Sequence, residues 1–143
     1  MMKFGIQNGL NVARLGLTED QILTACSLAD KTGYHSIWYM DHSNVPQWSN
    51  AVVNDPWVML AGIAAVTNNV ELGTCVTDAL RRHPSNIALA SITLDRLSKG
   101  RGTLGIGAGE AQNLKEFNIP FDKPVSKFEE QLQIIKQLYD SDP

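Results

Sequence analysis

The apolar positions of this chain alternate between two spacings. Short apolar runs at Lys3–Gln7, Ser36–Met40, Val70–Val76 and Arg101–Gly107 have the length and the flanking turn residues of buried strands. Between them lie longer segments with apolar residues three and four apart, the period of a helix packed on one face.

The first helix is predicted over Thr18–Thr32. Thr18 suits the cap position, because its hydroxyl accepts from the free N–H groups of the first turn. Glu19 and Asp20 oppose the positive end of the helix dipole. Ile22, Leu23, Cys26 and Ala29 share one face, and Gly33 stands where a helix stops. A second helix, opened by Pro56, runs over Trp57–Thr67 and ends in an Asn68-Asn69 turn. The third covers Ser85–Leu97. A loop to about Lys123 leads into the last, over Pro124–Tyr139.

Strand-then-helix units in succession require parallel pairing, because each helix returns the chain to the same end of the sheet. The crossovers are expected to be right-handed. The predicted fold class is therefore α/β, with a single domain over residues 1–143. A (β/α)8 TIM barrel takes about 250 residues. The chain thus corresponds to about the first four βα units of such a barrel, and is expected to be its N-terminal half. The alternatives are a partner chain that supplies the other half, or a sheet left open with two unpaired edges.

Composition acts mainly by exclusion. A net charge of −3 offers no basic face for nucleic acid or an anionic membrane. No apolar run approaches the roughly 20 residues of a membrane span. The opening Met1-Met2-Lys3-Phe4 lacks the apolar stretch of a signal peptide. Cys26 and Cys75 show no metal-type spacing, and a reduced, cytoplasmic setting is the expectation. A nucleophile elbow, a P-loop and a His/Cys metal cluster are all missing from the sequence, so hydrolase, kinase and zinc-enzyme readings have no support.

The polar, irregular loops follow the second, third and fourth strands, and in a βα architecture that edge holds the active site. Asp41-His42 comes directly after strand two. A carboxylate accepts from ring N–H groups, and an imidazole moves protons near neutral pH. An ordinary polar helix-entry loop is the plainer alternative. Gly105-Ile106-Gly107-Ala108-Gly109-Glu110 looks superficially like a dinucleotide fingerprint. That motif belongs after a first strand, with an acidic residue about 20 positions on. Small residues here instead let a flat ring approach the backbone, with Glu110 aimed into the site. The bland alternative is a tight turn with an exposed glutamate.

Gly73-Thr74-Cys75-Val76-Thr77 ends strand three, where Cys75 reads as a small buried apolar residue or as part of the active edge. Arg81-Arg82-His83-Pro84 precedes the third helix. It is either an anion site, aided by the helix N-terminus, or a solvated basic turn. Trp38 is expected in the core. Trp48 is expected in the wall of a pocket.

Three stretches, taken together, carry a family resemblance. Trp38-Tyr39-Met40-Asp41-His42, then Leu72-Gly73-Thr74-Cys75-Val76-Thr77, then Leu104-Gly105-Ile106-Gly107-Ala108-Gly109-Glu110 resemble the luciferase-like monooxygenase superfamily. The nearest branch is the coenzyme F420-dependent one, with methylenetetrahydromethanopterin reductase, secondary alcohol dehydrogenases and glucose-6-phosphate dehydrogenases. Asn118-Ile119-Pro120-Phe121-Asp122-Lys123-Pro124 and the run Leu132–Leu138 are also similar to the reductase group.

The resemblance implies a (β/α)8 barrel, usually a homodimer, with a deazaflavin laid across its C-terminal mouth. It implies hydride transfer between coenzyme F420 and a small organic substrate. The alternatives are an FMN-dependent luciferase-like monooxygenase, or a non-catalytic half-barrel that dimerises. A non-proline cis peptide behind the ring maps to Cys75–Val76, which gives Cys75 a backbone role. Asp41 matches a deazaflavin contact, and His42 matches the active-site histidine. Thr77, Gly107 and Ala108 match cofactor contacts. Glu110 matches the acidic residue near the reacting carbon, followed by Asn113 as in some dehydrogenases. Trp48 is similar in place to a tryptophan lining the substrate pocket. No metal is implied.

Two departures stand out. The sugar-phosphate dehydrogenases carry an acidic residue after the first strand, whereas Gln7-Asn8-Gly9-Leu10-Asn11 holds no carboxylate. The family's remaining contacts to the cofactor phosphate come from later strands.

Overall fold

A computed structural model describes residues 2–8, 15–43 and 53–141. Its elements, in chain order, are β1 (Gly5–Asn8), α1 (Glu19–Lys31), β2 (Ser36–Tyr39), α2 (Pro56–Val66), β3 (Glu71–Thr74) and β4 (Thr77–Asp78). These are followed by α3 (Pro84–Ser98), β5 (Gly102–Thr103), β6 (Ile106–Gly107), α4 (Ala111–Lys115) and α5 (Pro124–Asp140).

The helix starts follow local chemistry. Thr18 caps α1 in a reciprocal box, accepting from Gln21 N–H while the Gln21 side chain accepts from Thr18 N–H at 2.9 Å. Asp55 caps α2, accepting from Trp57 N–H at 2.9 Å and Val58 N–H at 3.2 Å. His83 caps α3 through its ring, and Pro84 follows in the first turn.

The main sheet has the order β1-β2-β3-β5, and every pair in it is parallel. Register sets Ile37 beside Ile6 on one side and Leu72 on the other. One face of this sheet meets the helices. Ile37 and Leu72 pack there with Ile22 and Cys26 of α1, Leu60 and Ile63 of α2, Ile87 and Leu94 of α3, and Ile135 of α5. Each such aliphatic side chain, fully buried, contributes about 1.5–3 kcal/mol. The fold is α/β, a succession of parallel βα units with the strand C-termini gathered at one edge.

Strands three and four are each interrupted, where the sequence predicts one continuous run apiece. Strand three breaks at Cys75–Val76, whose peptide is cis. Strand four breaks at Leu104-Gly105, where the Thr74 hydroxyl takes over the ladder. It donates to Gly105 O at 2.7 Å and accepts from Gly105 N–H at 3.2 Å. Beyond the break, β4 and β6 pair as a separate two-stranded sheet.

Three other expectations change. Trp38 is half-buried, outside the helix-facing core. It lies over Gly73, where an added Cβ would come within 2.6 Å of the indole, and its Nε1–H donates to Ser36 Oγ at 2.9 Å. Alternation along β2 sends Ile37 and Tyr39 to the helices and Trp38 to the opposite face. Cys75 is exposed, whereas the small-apolar reading would bury it. The loop before Pro124 contains the short helix α4, which the sequence pattern does not predict.

Candidate functional site

The site is organised around Asp41, two residues past the end of β2. Its side chain is fully buried. It is also fully partnered. Oδ2 accepts from the Thr77 hydroxyl and from Arg82 Nε at 3.2 Å, and Oδ1 accepts from Arg81 Nη2 and from Arg82 Nη2 at 3.4 Å. A buried carboxylate is tolerated when its charge is matched and its lone pairs are filled, as here. Arg81-Arg82 is therefore no solvated turn. Arg82 reaches on to Asp55 Oδ2 at 2.5 Å, so it joins Asp41, just past β2, to the cap residue of α2. Burial pushes the Asp55 carboxyl up, but Arg82 and the N–H groups of Val58 and Trp57 outweigh it and hold the group below the usual carboxylate range.

The turn after β4 delivers these arginines. Asp78 Oδ1 accepts from Leu80 N–H at 2.8 Å and Arg81 N–H at 3.2 Å, an Asx-type turn that doubles the chain back. The glycine loop then closes over Asp78. Gly109 has φ +80°, and a Cβ there would lie 2.5 Å from Asp78 Oδ1. A Cβ at Gly107 would lie 2.9 Å from Val76 Cγ2. Both positions need glycine for close approach.

Glu110 follows this loop. Its carboxylate accepts from Gln112 Nε2 at 2.6 Å and Asn113 Nδ2 at 3.3 Å, and Oε2 lies 3.8 Å from His42 Nε2. The structure brings together Asp41, His42, Cys75, Val76, Thr77, Gly107, Ala108, Glu110 and Asn113 around one cavity of about 300 Å³. Trp48 lies outside the described residues. The sequence reading misses Asp78, which lines the same cavity. An Asp three residues before an Arg, in a loop at a strand end, is the signal that points to it.

Among the described residues, His42 Nδ1, Asp78 Oδ2 and Asn113 Oδ1 are buried without a hydrogen-bond partner. Buried polar atoms are nearly always paired, so unpaired ones beside a cavity fit a bound polar group. Val76, Gly107, Ala108 and Gly109 line the cavity with apolar or very small side chains, a chemistry that suits a flat ring. The donor set does not suit a metal, and no group of three or more His, Cys, Asp or Glu is gathered for one among the described residues. A larger hollow of about 490 Å³, between α3, α5 and β5, shares no lining residue with the site. No helix among the described residues is long and apolar enough to cross a membrane.

The chain is 43% identical over 88 residues to the phthiodiolone/phenolphthiodiolone dimycocerosates ketoreductase of Mycobacterium tuberculosis (strain H37Rv), covering 61% of this chain and 23% of that protein. It is 37% identical over 115 residues to the F420-dependent glucose-6-phosphate dehydrogenase of Kineococcus radiotolerans, covering 78% of this chain and 36% of the relative. Its structure superposes on an F420-dependent secondary alcohol dehydrogenase, solved with an F420-acetone adduct, with a TM-score of 0.84 and 26% identity. That match covers 98% of this chain and 42% of the other. The chain thus spans less than half the length of each of these relatives. The family described as luciferase-like monooxygenase matches residues 3–143, and the chain belongs to that family.

Proposed function

We propose that this chain carries the proton-handling edge of an F420-dependent oxidoreductase acting on a ketone or secondary alcohol. The observation that carries the reading is the His42–Glu110 pair, 3.8 Å apart, on the cavity that Val76, Gly107 and Ala108 also line. The activities of two relatives, a ketoreductase and a secondary alcohol dehydrogenase, support the carbonyl–carbinol substrate class. When bound, coenzyme F420 supplies a ring carbon that gives or takes a hydride.

The chain's own residues do the rest. Val76, Gly107 and Ala108 would hold the ring face. Thr77, Asn113 and the backbone at Cys75 would meet its edge, and Asp41 fixes Thr77 from beneath. In the oxidising direction His42 Nε2 accepts the substrate hydroxyl proton, and the Glu110 carboxylate stabilises the imidazolium that results. In the reducing direction His42 returns the proton to the carbonyl oxygen. Trp48 is proposed to line the substrate pocket. The resemblance of the three strand-end motifs also supports a homodimer, which sedimentation equilibrium measures.

The test is an equilibrium titration of the natural protein with oxidised F420 and with FMN, followed by absorbance. Binding of F420, with turnover of secondary alcohols, is expected. Tight FMN binding without F420 binding overturns the reading. It would favour the second one, a reduced-FMN monooxygenase, for which the family's description speaks and which oxygen consumption would register.

A further inference from the structure

We propose that Arg81 is a positioning residue for His42, acting through the peptide that joins Asp41 to it. The proposal rests on the reading of His42 as the proton carrier. Arg81 Nη2 donates twice to Asp41, to the side-chain Oδ1 and to the main-chain O at 3.0 Å. The second bond is the informative one. The Asp41 carbonyl belongs to the same planar peptide unit as the His42 N–H and Cα. Anchoring that oxygen sets the plane from which the His42 side chain departs.

Arg81 is itself fixed at its own backbone, where its N–H donates to Asp78 Oδ1 at 3.2 Å. Its side chain is mostly buried, and its Nε has no partner among the described residues. The guanidinium has thus left water for a contact whose recorded acceptors are both on Asp41. Arg82 makes a useful contrast. It reaches Asp41 only through the carboxylate, at 3.2 and 3.4 Å, and its shortest bond goes to Asp55. Arg82 ties Asp41 to Asp55, whereas Arg81 holds the main chain leading into His42. From Asp78 through Arg81 and Asp41, an unbroken series of contacts ends at the imidazole that faces Glu110.

The first arm of the test needs no cofactor. The chain has three histidines, so ring-labelled protein gives three imidazole signals, and His42→Ala assigns the one of interest. Arg81→Lys keeps the charge but loses the planar fork. In the folded, cofactor-free Arg81→Lys protein, the His42 signal is expected to move while those of His35 and His83 stay. An unmoved His42 signal overturns the proposal. So does a His83 signal that moves as far, because the change would then lie in the cap of α3.

The second arm is kinetic. Arg81→Lys is expected to lower kcat by roughly 10- to 100-fold, the scale of a small misplacement of a reacting group. The KM for cofactor should change little, and Arg81→Met should lose more. In a His42→Ala background the Arg81→Lys change should cost nothing further. A loss that multiplies with that of His42→Ala overturns the proposal. If the natural protein turns over neither with F420 nor with FMN, the functional reading fails, and the imidazole signals still decide where Arg81 acts. If Arg81→Met does not fold, Arg81→Lys carries both arms.

Discussion

His42 Nε2 faces Glu110 Oε2 across 3.8 Å, although the two residues follow different strands, β2 and β6. The gap exceeds a hydrogen bond, and such pairs tighten when substrate or a shared proton arrives. If the pair handles the substrate proton, each half should matter to kcat. His42→Ala is expected to lower kcat by about 10²–10⁴-fold, the usual range for a general acid–base group. Glu110→Gln keeps the shape and the bond from Asn113 but removes the charge, and should give a smaller loss. Steady-state kinetics with unchanged F420 affinity would separate this role from ring binding.

The glycine at 105 has a different task. A Cβ there would overlap the Thr74 carbonyl oxygen, which is main chain and has no free rotamer to yield. Gly105→Ala should force β3 and the segment before β6 apart and break the two Thr74–Gly105 hydrogen bonds. The expected cost is about 1–3 kcal/mol, as for overpacking elsewhere. Urea unfolding measures it. A midpoint equal to that of the unaltered protein would show that the strands part freely here.

Much of this was legible in the sequence because the signals were local. Thr18, Gly33 and Pro56 mark helix ends through their own backbone and side-chain chemistry, and the helices stand within a residue or two of where these place them. The site edge was legible too, because parallel βα units place every strand C-terminus on one side. Asp41, His42 and Glu110 were therefore expected on one edge, and all three line one cavity. What stayed hidden depends on contacts far apart in sequence. Arg81 meets Asp41 forty positions away. The break in strand four turns on the Thr74 hydroxyl reaching Gly105. Trp38 reads as core by its apolarity, and only the pleat of β2 sends it to the face away from the helices. Helix α4 has five residues and no side-chain cap, so it leaves no sequence signature.

At the opposite end of the strands, Arg101 gathers the end of α2. Nη1 donates to Thr67 Oγ1 at 3.1 Å and Val70 O at 2.7 Å, Nη2 to Thr67 O at 3.0 Å, and Nε to Ser98 O at 2.7 Å. Such a fork satisfies carbonyls that a helix end leaves open. Lysine presents one ammonium and cannot span them. Arg101→Lys should lower the thermal midpoint by several degrees, on the basis that about 1 kcal/mol shifts a domain of this size by roughly 2–8 °C. Arg101 lines no part of the cavity at Asp41, so the F420 binding proposed for that cavity, measured at low temperature, is expected to hold.

Asp30 gives the clearest pH dependence. Its buried carboxylate accepts from the backbone N–H groups of Asn68 at 3.0 Å, Asn69 at 2.8 Å and Val70 at 2.9 Å, and from Asn69 Nδ2 at 3.2 Å. Burial pushes the group up, but these donors outweigh it and hold the carboxyl below its usual range. The folded state therefore binds this proton less readily than the unfolded chain. The stabilisation is fully present above the unfolded value of about 3.9, and it is lost as pH falls through the lower folded value. Asp30→Asn sets an N–H₂ against those donors and should cost about 1–3 kcal/mol at neutral pH. Urea unfolding at several pH values is the check. The difference between the two proteins should be flat down to about pH 5 and shrink below it. A difference that instead widens in acid would mean that the folded state holds the Asp30 carboxyl above its unfolded value rather than below it.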